Sequence, residues 1–312
     1  MTEFGFIEAI RRAFAAIPSN GFEGIGDDCA VLPLDDGSSL VFTTDVLVEG
    51  VHFLRRAASA AEIGAKSLAV NLSDVAAMGA RPVATMLSIA LTDDTAGSWA
   101  EEFMEGYRAM SERYAVPLIG GDTSKSKSGV TINVVAIGRA PSECIKRRSA
   151  ALAGDIVMVG GVLGASAAGL ADILDGRYDT EAAVIHKNTA PQLREGEWLG
   201  TQTAVHAMMD ISDGLASDLG HILKASQVGA VIDTDDIPCH SDLRTAVCGG
   251  EDYKLLLTVD PRRAEQLAAD FLQKFGQPLY SIGRITASDN HSIEWRSNGM
   301  AISPDWSGFS HF

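Results

Sequence analysis

The stretch Gly154-Asp155-Ile156-Val157-Met158-Val159-Gly160-Gly161-Val162-Leu163-Gly164-Ala165-Ser166 divides the chain. Four consecutive apolar residues predict a short buried strand over 156–159, and the glycines behind it open a helix over 165–174. Upstream, 140–153 is irregular and basic, with Lys146, Arg147 and Arg148. An irregular segment followed by a fresh strand–helix unit marks a boundary between an N-terminal domain, 1–140, and a C-terminal domain, 141–312. Beyond it the pattern predicts a helix over 215–225, strands over 230–232 and 253–259, and a helix over 262–275. Before it the pattern predicts helices over 4–17, 60–79 and 99–114, with strands over 30–34, 40–44, 83–91, 117–120 and 130–138. A polar loop is expected over 122–129. Strands alternating with helices on both sides indicate an α/β or α+β protein. A Ser-Asp pair beside a helix occurs in each half, Asn71-Leu72-Ser73-Asp74 and Asp210-Ile211-Ser212-Asp213, a hint of two related domains.

Composition narrows the function. Of 312 residues, 46% are hydrophobic and 21% charged, the profile of a soluble globular protein. With 25 Lys+Arg against 41 Asp+Glu the formal charge is −16, which argues against nucleic acid and against an anionic membrane surface as partners. The longest uncharged run, 156–171, has 16 residues and four glycines, short of the roughly 20 that a bilayer crossing needs. The N-terminus lacks the basic region of a signal peptide. Cys29, Cys144, Cys239 and Cys248 have no zinc-like spacing and read as small core residues, so a reducing cytoplasm is expected.

The acidic residues recur in short contexts rich in Gly or Thr: Gly26-Asp27-Asp28-Cys29-Ala30, Thr43-Thr44-Asp45, Ser73-Asp74, Gly120-Gly121-Asp122-Thr123, Asp210-Ile211-Ser212-Asp213-Gly214, and Gly249-Gly250-Glu251-Asp252-Tyr253. Any one of them could be a turn or a helix cap. Six together point to carboxylates gathered at strand ends, where open α/β sheets build their sites. Gathered carboxylates repel and resist ionisation unless a multivalent cation sits among them. Asp, Thr and carbonyl oxygens suit Mg²⁺ or Ca²⁺, and Mg²⁺ normally bridges protein carboxylates to a polyphosphate.

The familiar phosphate motifs are missing. There is no GxxxxGK[ST], no HRD or DFG set, and no GxGxxG of the dinucleotide type. The glycines of 160–166 either cradle a phosphate at a helix N-terminus or allow a close helix–strand crossing. His52 reads equally as a structural or a site histidine. Lys66 reads as a surface salt-bridging lysine ahead of a phosphate ligand.

Taken in order, these segments resemble the bacterial thiamine-monophosphate kinases, which use ATP to convert thiamine monophosphate into thiamine diphosphate. The resemblance runs from Gly24-Ile25-Gly26-Asp27-Asp28 through the acidic segments, His52-Phe53, Ala77-Met78-Gly79-Ala80 and Ser166-Ala167-Ala168-Gly169-Leu170 to Gly308-Phe309-Ser310-His311-Phe312. It implies the two-domain fold of the aminoimidazole-ribonucleotide synthetase superfamily, with N-terminal sheets of two copies pairing into a barrel-like core of a homodimer and the nucleotide near that interface. It further implies that Asp28, Thr43, Thr44, Asp45, Asp74, Asp122, Asp210 and Asp213 hold Mg²⁺. Gly121, Asp122, Arg148 and Ser212 would touch ATP, and His52, Glu251 and Phe309 would line the thiamine monophosphate side. Asp45, Asp74, Asp122 and Asp213 would form the catalytic set. The family's Arg-Ser-Gly-Ala-Lys-Pro-Gly-Asp reads Arg148-Ser149-Ala150-Ala151-Leu152-Ala153-Gly154-Asp155 here, and Arg147 beside Arg148 leaves the choice of phosphate-contacting arginine open. Phosphoryl transfer to an acceptor that is already an anionic phosphate needs positioning and charge screening, so direct in-line transfer without a phosphoenzyme is expected. The alternatives are another ATP-using enzyme of the superfamily or a non-enzymatic divalent-cation binder. The N-terminal tail has no reactive Cys and the C-terminus no terminal Cys, which disfavours the selenophosphate and hydrogenase-maturation relatives. Regular cation-binding loops are absent.

Overall fold

A computed structural model describes residues 2–288 and 290–309. In the first half the order is α1 (Glu3–Phe14), β1 (Ala30–Pro33), β2 (Ser38–Val48), α2 (Ala60–Ala77), β3 (Arg81–Leu91), α3 (Ser98–Tyr114), β4 (Leu118–Lys125) and β5 (Thr131–Pro141). The second half has β6 (Ile156–Val159), α4 (Ala165–Leu174), α5 (Glu181–Lys187), α6 (Leu193–Gly200), β7 (Val205–Asp210), α7 (Leu215–Ser226), β8 (Gly229–Asp233), α8 (Leu243–Cys248), β9 (Leu255–Val259), α9 (Ala264–Phe275), β10 (Tyr280–Thr286), β11 (Ile293–Ser297) and β12 (Met300–Ile302). Two sheets result, ordered β1-β2-β5-β3-β4 and β12-β11-β8-β10-β6-β9-β7. Both are mixed, with β3–β4 and β8–β11 the parallel pairs. Among the described residues neither sheet closes on itself; the first ends on β1 and β4, the second on β12 and β7.

Helix α2 is the element on which the site is built. Ser59 caps it, accepting from the Glu62 N–H while the Glu62 carboxylate accepts from the Ser59 N–H, a reciprocal capping box. An alanine-rich sequence and few β-branched residues suit a helix that must be packed on nearly every side. It touches β2 and β5 of the first sheet, α3, α6 and β7 of the second sheet. Such proximity requires small residues. A Cβ added at Gly64 would meet the Phe103 carbonyl oxygen at 2.1 Å, and one at Gly106 would meet that of Ala61 at 1.9 Å. The core therefore runs through α2 from one sheet to the other, joining Val41, Ile132 and Val134 to Met208, Leu255 and Leu257. The alternate residues of the second sheet, Val157, Val159, Met209 and Leu256, form a second core with Leu219 and Leu223 of α7. Strands buried on both faces read as unbroken apolar runs, which is why 156–159 was legible.

Several elements depart from the pattern reading. The first helix stops at Phe14, and β4 continues through Asp122, Thr123, Ser124 and Lys125, where a polar loop was expected. Every residue of β4 is exposed, so it carries no apolar alternation to read. Strand β7, the strands after α9, and the short helices α5, α6 and α8 were also not anticipated. Cys29 is buried and the other three cysteines half-buried; all four are free thiols. Among the described residues no helix is long and apolar enough to cross a membrane.

Candidate active site

Three acids from three parts of the chain meet where the sheets face each other. Asp28 lies in the loop before β1, Asp74 in the last turn of α2, and Asp210 at the end of β7. One carboxylate oxygen of each lies within 4.8 Å of the others. Hydroxyls tie them to both sheets: Thr43 Oγ1 of β2 donates to Asp74 Oδ2, and Ser73 Oγ of α2 donates to Asp210 Oδ2. Ser73 and Asp74 lie inside α2 and are not its cap. Arg148 is the cation beside them, its guanidinium donating to Asp28 Oδ1 at 2.7 Å and its backbone N–H to Asp27 Oδ1 at 2.7 Å. Arg147 points elsewhere, to Glu23 at 2.7 Å.

One arginine does not balance this much negative charge. Burial, then the charge of Asp28, pushes Asp210 up to about 8. Burial, then Asp45 and Asp210, raises Asp74 well above the carboxylate range. Asp45, on β2 with its N–H donating to Asn71 Oδ1 at 3.0 Å, is raised to about 6 by burial, then by Asp213 and Asp28. Asp28 Oδ2 and Arg148 Nε are buried with no hydrogen-bond partner. An orphaned carboxylate oxygen among hard oxygen donors, in a group of carboxyls too crowded to ionise fully alone, fits a hard divalent cation.

A cleft of about 580 Å³ opens beside this group. Thr44, Asp45, Ser212 and Asp213 contribute its acidic and hydroxyl lining, and Leu54, Ala57, Ile63, Leu170, Ile173 and Leu174 its apolar wall. Its lining also includes His52, Lys66, His186, Glu251 and Phe309. His52 Nδ1 accepts from the Val48 N–H at 3.0 Å, so the proton of the neutral ring sits on Nε2. The Gly249–Tyr253 loop is pressed onto the loop after β7. The Glu251 N–H donates to Ser212 O at 2.7 Å, and a Cβ at Gly250 would meet that same oxygen at 2.5 Å. Phe309 arrives from the C-terminal tail, its N–H donating to Asp213 O at 2.9 Å. The remainder of the terminal motif, Ser310-His311-Phe312, lies outside the described residues.

Gly121 and Asp122 are not brought to this place. They lie on the exposed edge strand β4, outside both the acid triad and the cleft lining. Gly121 stands in the same cross-strand row as Asp45, by way of Leu87 and Val134. Three strand spacings, roughly 14 Å, separate the two. The glycines of 160–166 do not form an open phosphate cradle: the Gly164 and Ser166 N–H groups donate to the buried carboxylate of Asp252, at 2.6 and 3.3 Å. Lys66 is not a surface lysine. It is 5% exposed, with Nζ donating to Glu251 Oε2 at 3.2 Å. His186 on α5, beside it, escaped the sequence reading, because a seven-residue helix gives no usable periodicity.

The chain is similar to proteins of known family. Residues 26–140 match the family described as AIR synthase related protein, N-terminal domain, and 153–296 match AIR synthase related protein, C-terminal domain. The chain is 38% identical to the thiamine-monophosphate kinase of Salmonella typhimurium, over 99% of this chain and 98% of the relative. It is 36% identical to that of Synechococcus elongatus, over 92% and 91%. Among solved structures, one described as AaThiL complexed with AMPPCP and TMP superposes with a TM-score of 0.85 at 30% identity, covering 100% of this chain and 97% of that one. A thiamine-monophosphate kinase from Stenotrophomonas maltophilia gives 0.76 at 33% identity, covering 96% and 98%.

Proposed function

The chain belongs to the thiamine-monophosphate kinase family, and from that premise we propose how its own residues carry the reaction. It is an enzyme that transfers the γ-phosphoryl group of ATP to thiamine monophosphate, giving thiamine diphosphate and ADP. The observation that carries the reading is the junction of an under-compensated acid cluster with a mixed polar and apolar cleft, at Asp45 and Asp213. A cleft so lined suits a substrate with an anionic end and a flat, largely apolar heterocycle.

Asp28, Thr43, Thr44, Asp45, Asp74, Asp122, Asp210 and Asp213 would hold Mg²⁺, which would supply positive charge to screen the two anionic substrates from each other. The rest falls to the chain. Arg148, fixed by Asp28, and Ser212, at the entrance to α7, orient the ATP phosphates; Gly121, lacking a side chain, admits the nucleotide to the backbone. Asp45, Asp74, Asp122 and Asp213 are the catalytic set, acting by fixed position and charge. His52 donates from Nε2 to the thiamine monophosphate side, Glu251 accepts there, and Phe309 stacks on the heterocycle. The acceptor oxygen is anionic before reaction, so no general base and no protein nucleophile are needed, and transfer is direct and in line. Incubation with ATP, Mg²⁺ and thiamine monophosphate should yield thiamine diphosphate, with no phosphorylated protein in an acid quench. Absence of that product overturns the reading, and a phosphoprotein that passes its label to thiamine monophosphate overturns the direct route.

The working form we propose is a cytoplasmic homodimer. Each chain divides into an N-terminal domain, 1–140, that pairs, and a C-terminal domain, 141–312, that completes the cleft. Two features support pairing through the first sheets. Strand β4 presents an exposed edge with Leu118 and Ile119 bare. On β2, strand β1 covers only Ser39 to Phe42, leaving Thr43 to Val48 without a strand neighbour on that side among the described residues. Unpaired edges of this kind invite pairing with another chain. Joining β4 of one copy to the free half of β2 in the other closes the sheets into a barrel-like core and carries Gly121 and Asp122 to Thr44 and Asp45.

A further inference from the structure

The cleft wall holds a second charged group, opposite in character to the acid triad. Lys66 Nζ, buried on α2, donates to His186 O at 3.1 Å and to Glu251 Oε2 at 3.2 Å, and faces His186 Nε2 at 3.5 Å. Lysine has no acceptor, so Nε2 must offer its lone pair and the ring proton sits on Nδ1. That nitrogen faces Ser166 Oγ at 2.9 Å and Glu251 Oε2 at 3.3 Å. Burial, then the Lys66 charge, holds His186 down at about 4, so the ring is neutral. For Glu251 burial acts upward, but the opposing groups, led by Lys66 through its charge and its hydrogen bond, outweigh it and keep the carboxyl below its ordinary range.

The backbone is equally constrained. Glu251 has φ +64° and Tyr253 φ +49°, both left-handed without being glycine, a conformation that persists only where the surroundings impose it. Ser212 O and Ile211 O take their N–H groups at 2.7 and 2.8 Å, and Asp252 between them is tied to the start of α4. We propose that Lys66 and His186 are positioning residues for the organic end of thiamine monophosphate. They hold Glu251 ionised through Oε2, so that Oε1 accepts from the exocyclic amino N–H of the substrate's aminopyrimidine ring. This rests on the thiamine-monophosphate reading of the cleft. Without Lys66 the half-buried carboxylate loses its main offset to desolvation and is protonated more readily, and its protonated form offers a donor where the substrate also offers one.

A double-mutant cycle with steady-state kinetics tests it. Lys66→Met and Glu251→Gln should each raise KM for thiamine monophosphate about tenfold, with KM for ATP changed less than about twofold. In the double variant the two effects should not multiply, since Lys66 acts through Glu251. Multiplying effects, or an equal rise in KM for ATP, overturn the inference, because Lys66 would then meet a substrate on its own. If Lys66→Met does not fold, His186→Gln takes its place in the same cycle with the same criteria. Thiamine diphosphate formation by the unmodified enzyme reads the function separately: no product removes both the function and this inference, whereas product with multiplying effects removes the inference alone.

Discussion

Asp210, buried beside the cleft, and Glu251, half-buried in its lining, are carboxylates whose surroundings push them in opposite directions. Asp210 rises to about 8 through burial, then the charge of Asp28, whereas Glu251 is held low because opposing groups led by the Lys66 charge outweigh its burial. Burial alone therefore does not fix the charge of a carboxyl; the nearest full charge does. The difference separates two kinds of recognition. The Asp28, Asp74 and Asp210 group is incomplete and calls for cations from solution. The Glu251 group is complete within the chain and is set for an organic ligand. Substitutions on the first side should change turnover, and those on the second should change substrate affinity.

The largest expected effect is on the incomplete side. Asp45→Asn should lower kcat by about 10³-fold at saturating Mg²⁺, the scale on which lost transition-state charge stabilisation is felt. It should not lower the melting temperature of the metal-free protein, because a neutral amide removes repulsion with Asp213 and Asp28. Near-normal turnover, or a collapse of stability, would make Asp45 an ordinary structural acid and erase the contrast with Glu251.

The next effect asks whether the acid side is completed by a second copy. Asp45→Asn and Asp122→Asn subunits, each inactive alone, should regain activity when mixed and allowed to exchange. If β4 of one copy serves β2 of the other, each mixed dimer has one doubly altered site and one intact site. About a quarter of wild-type activity then returns. If both acids serve the site of their own chain, mixing restores nothing and Asp122 needs another route to the cluster.

A smaller effect is thermodynamic. The folded-state values of Asp45 and Asp210, about 6 and about 8, lie above the unfolded carboxylate value. The native protein thus binds more protons than the unfolded chain between about pH 4 and 8, and stability falls as pH rises through that window. Metal-free protein should melt lower at pH 8.5 than at pH 5. Mg²⁺ should restore roughly 3–6 °C at the higher pH and little at the lower, where protonated carboxyls do not bind it. A flat metal-free profile in differential scanning fluorimetry would contradict the crowding of these acids.

The two sides were unequally legible in the sequence. Asp28, Asp74 and Asp210 stood out because a carboxylate among glycines, or at the end of an apolar run, breaks a local pattern. The strand and helix of 156–174 stood out because a doubly covered sheet leaves an unbroken apolar run. In the Lys66–His186–Glu251 group only Glu251, behind two glycines, carries such a mark. His186 and Glu251 are 120 and 185 residues from Lys66 along the chain, and only the packing of α2 against α5 and the 249–253 loop joins them. Lys66 looked like a surface residue because an α2 buried on nearly all sides was not foreseen. Asp122 sat in what read as a polar loop because an exposed edge strand has no buried face to impose alternation. The glycines of 160–166 admitted a phosphate or a close crossing, and Asp252, distant in sequence, decided between them.

The smallest effect lies on the organic side, at the C-terminal tail. Residues 303–309 have no regular structure, yet Trp306 packs edge-on against Trp295 with centroids 4.9 Å apart. A Cβ at Gly308 would meet Ser217 Cβ at 2.4 Å and Asp213 O at 2.6 Å, so the tail lies directly on the loop that carries Asp213. It delivers Phe309, still 51% exposed, to the cleft. An aromatic contact of this kind is worth about 1 kcal/mol. Phe309→Ala should therefore raise KM for thiamine monophosphate about fivefold, while KM for ATP and kcat stay within about twofold. Trp306→Ala should produce the same selectivity at smaller size, because it loosens the anchor and leaves the ring in place. Equal changes for both substrates would assign the tail to the acid side of the cleft, through its hold on Asp213, and would move the dividing line between the two regions.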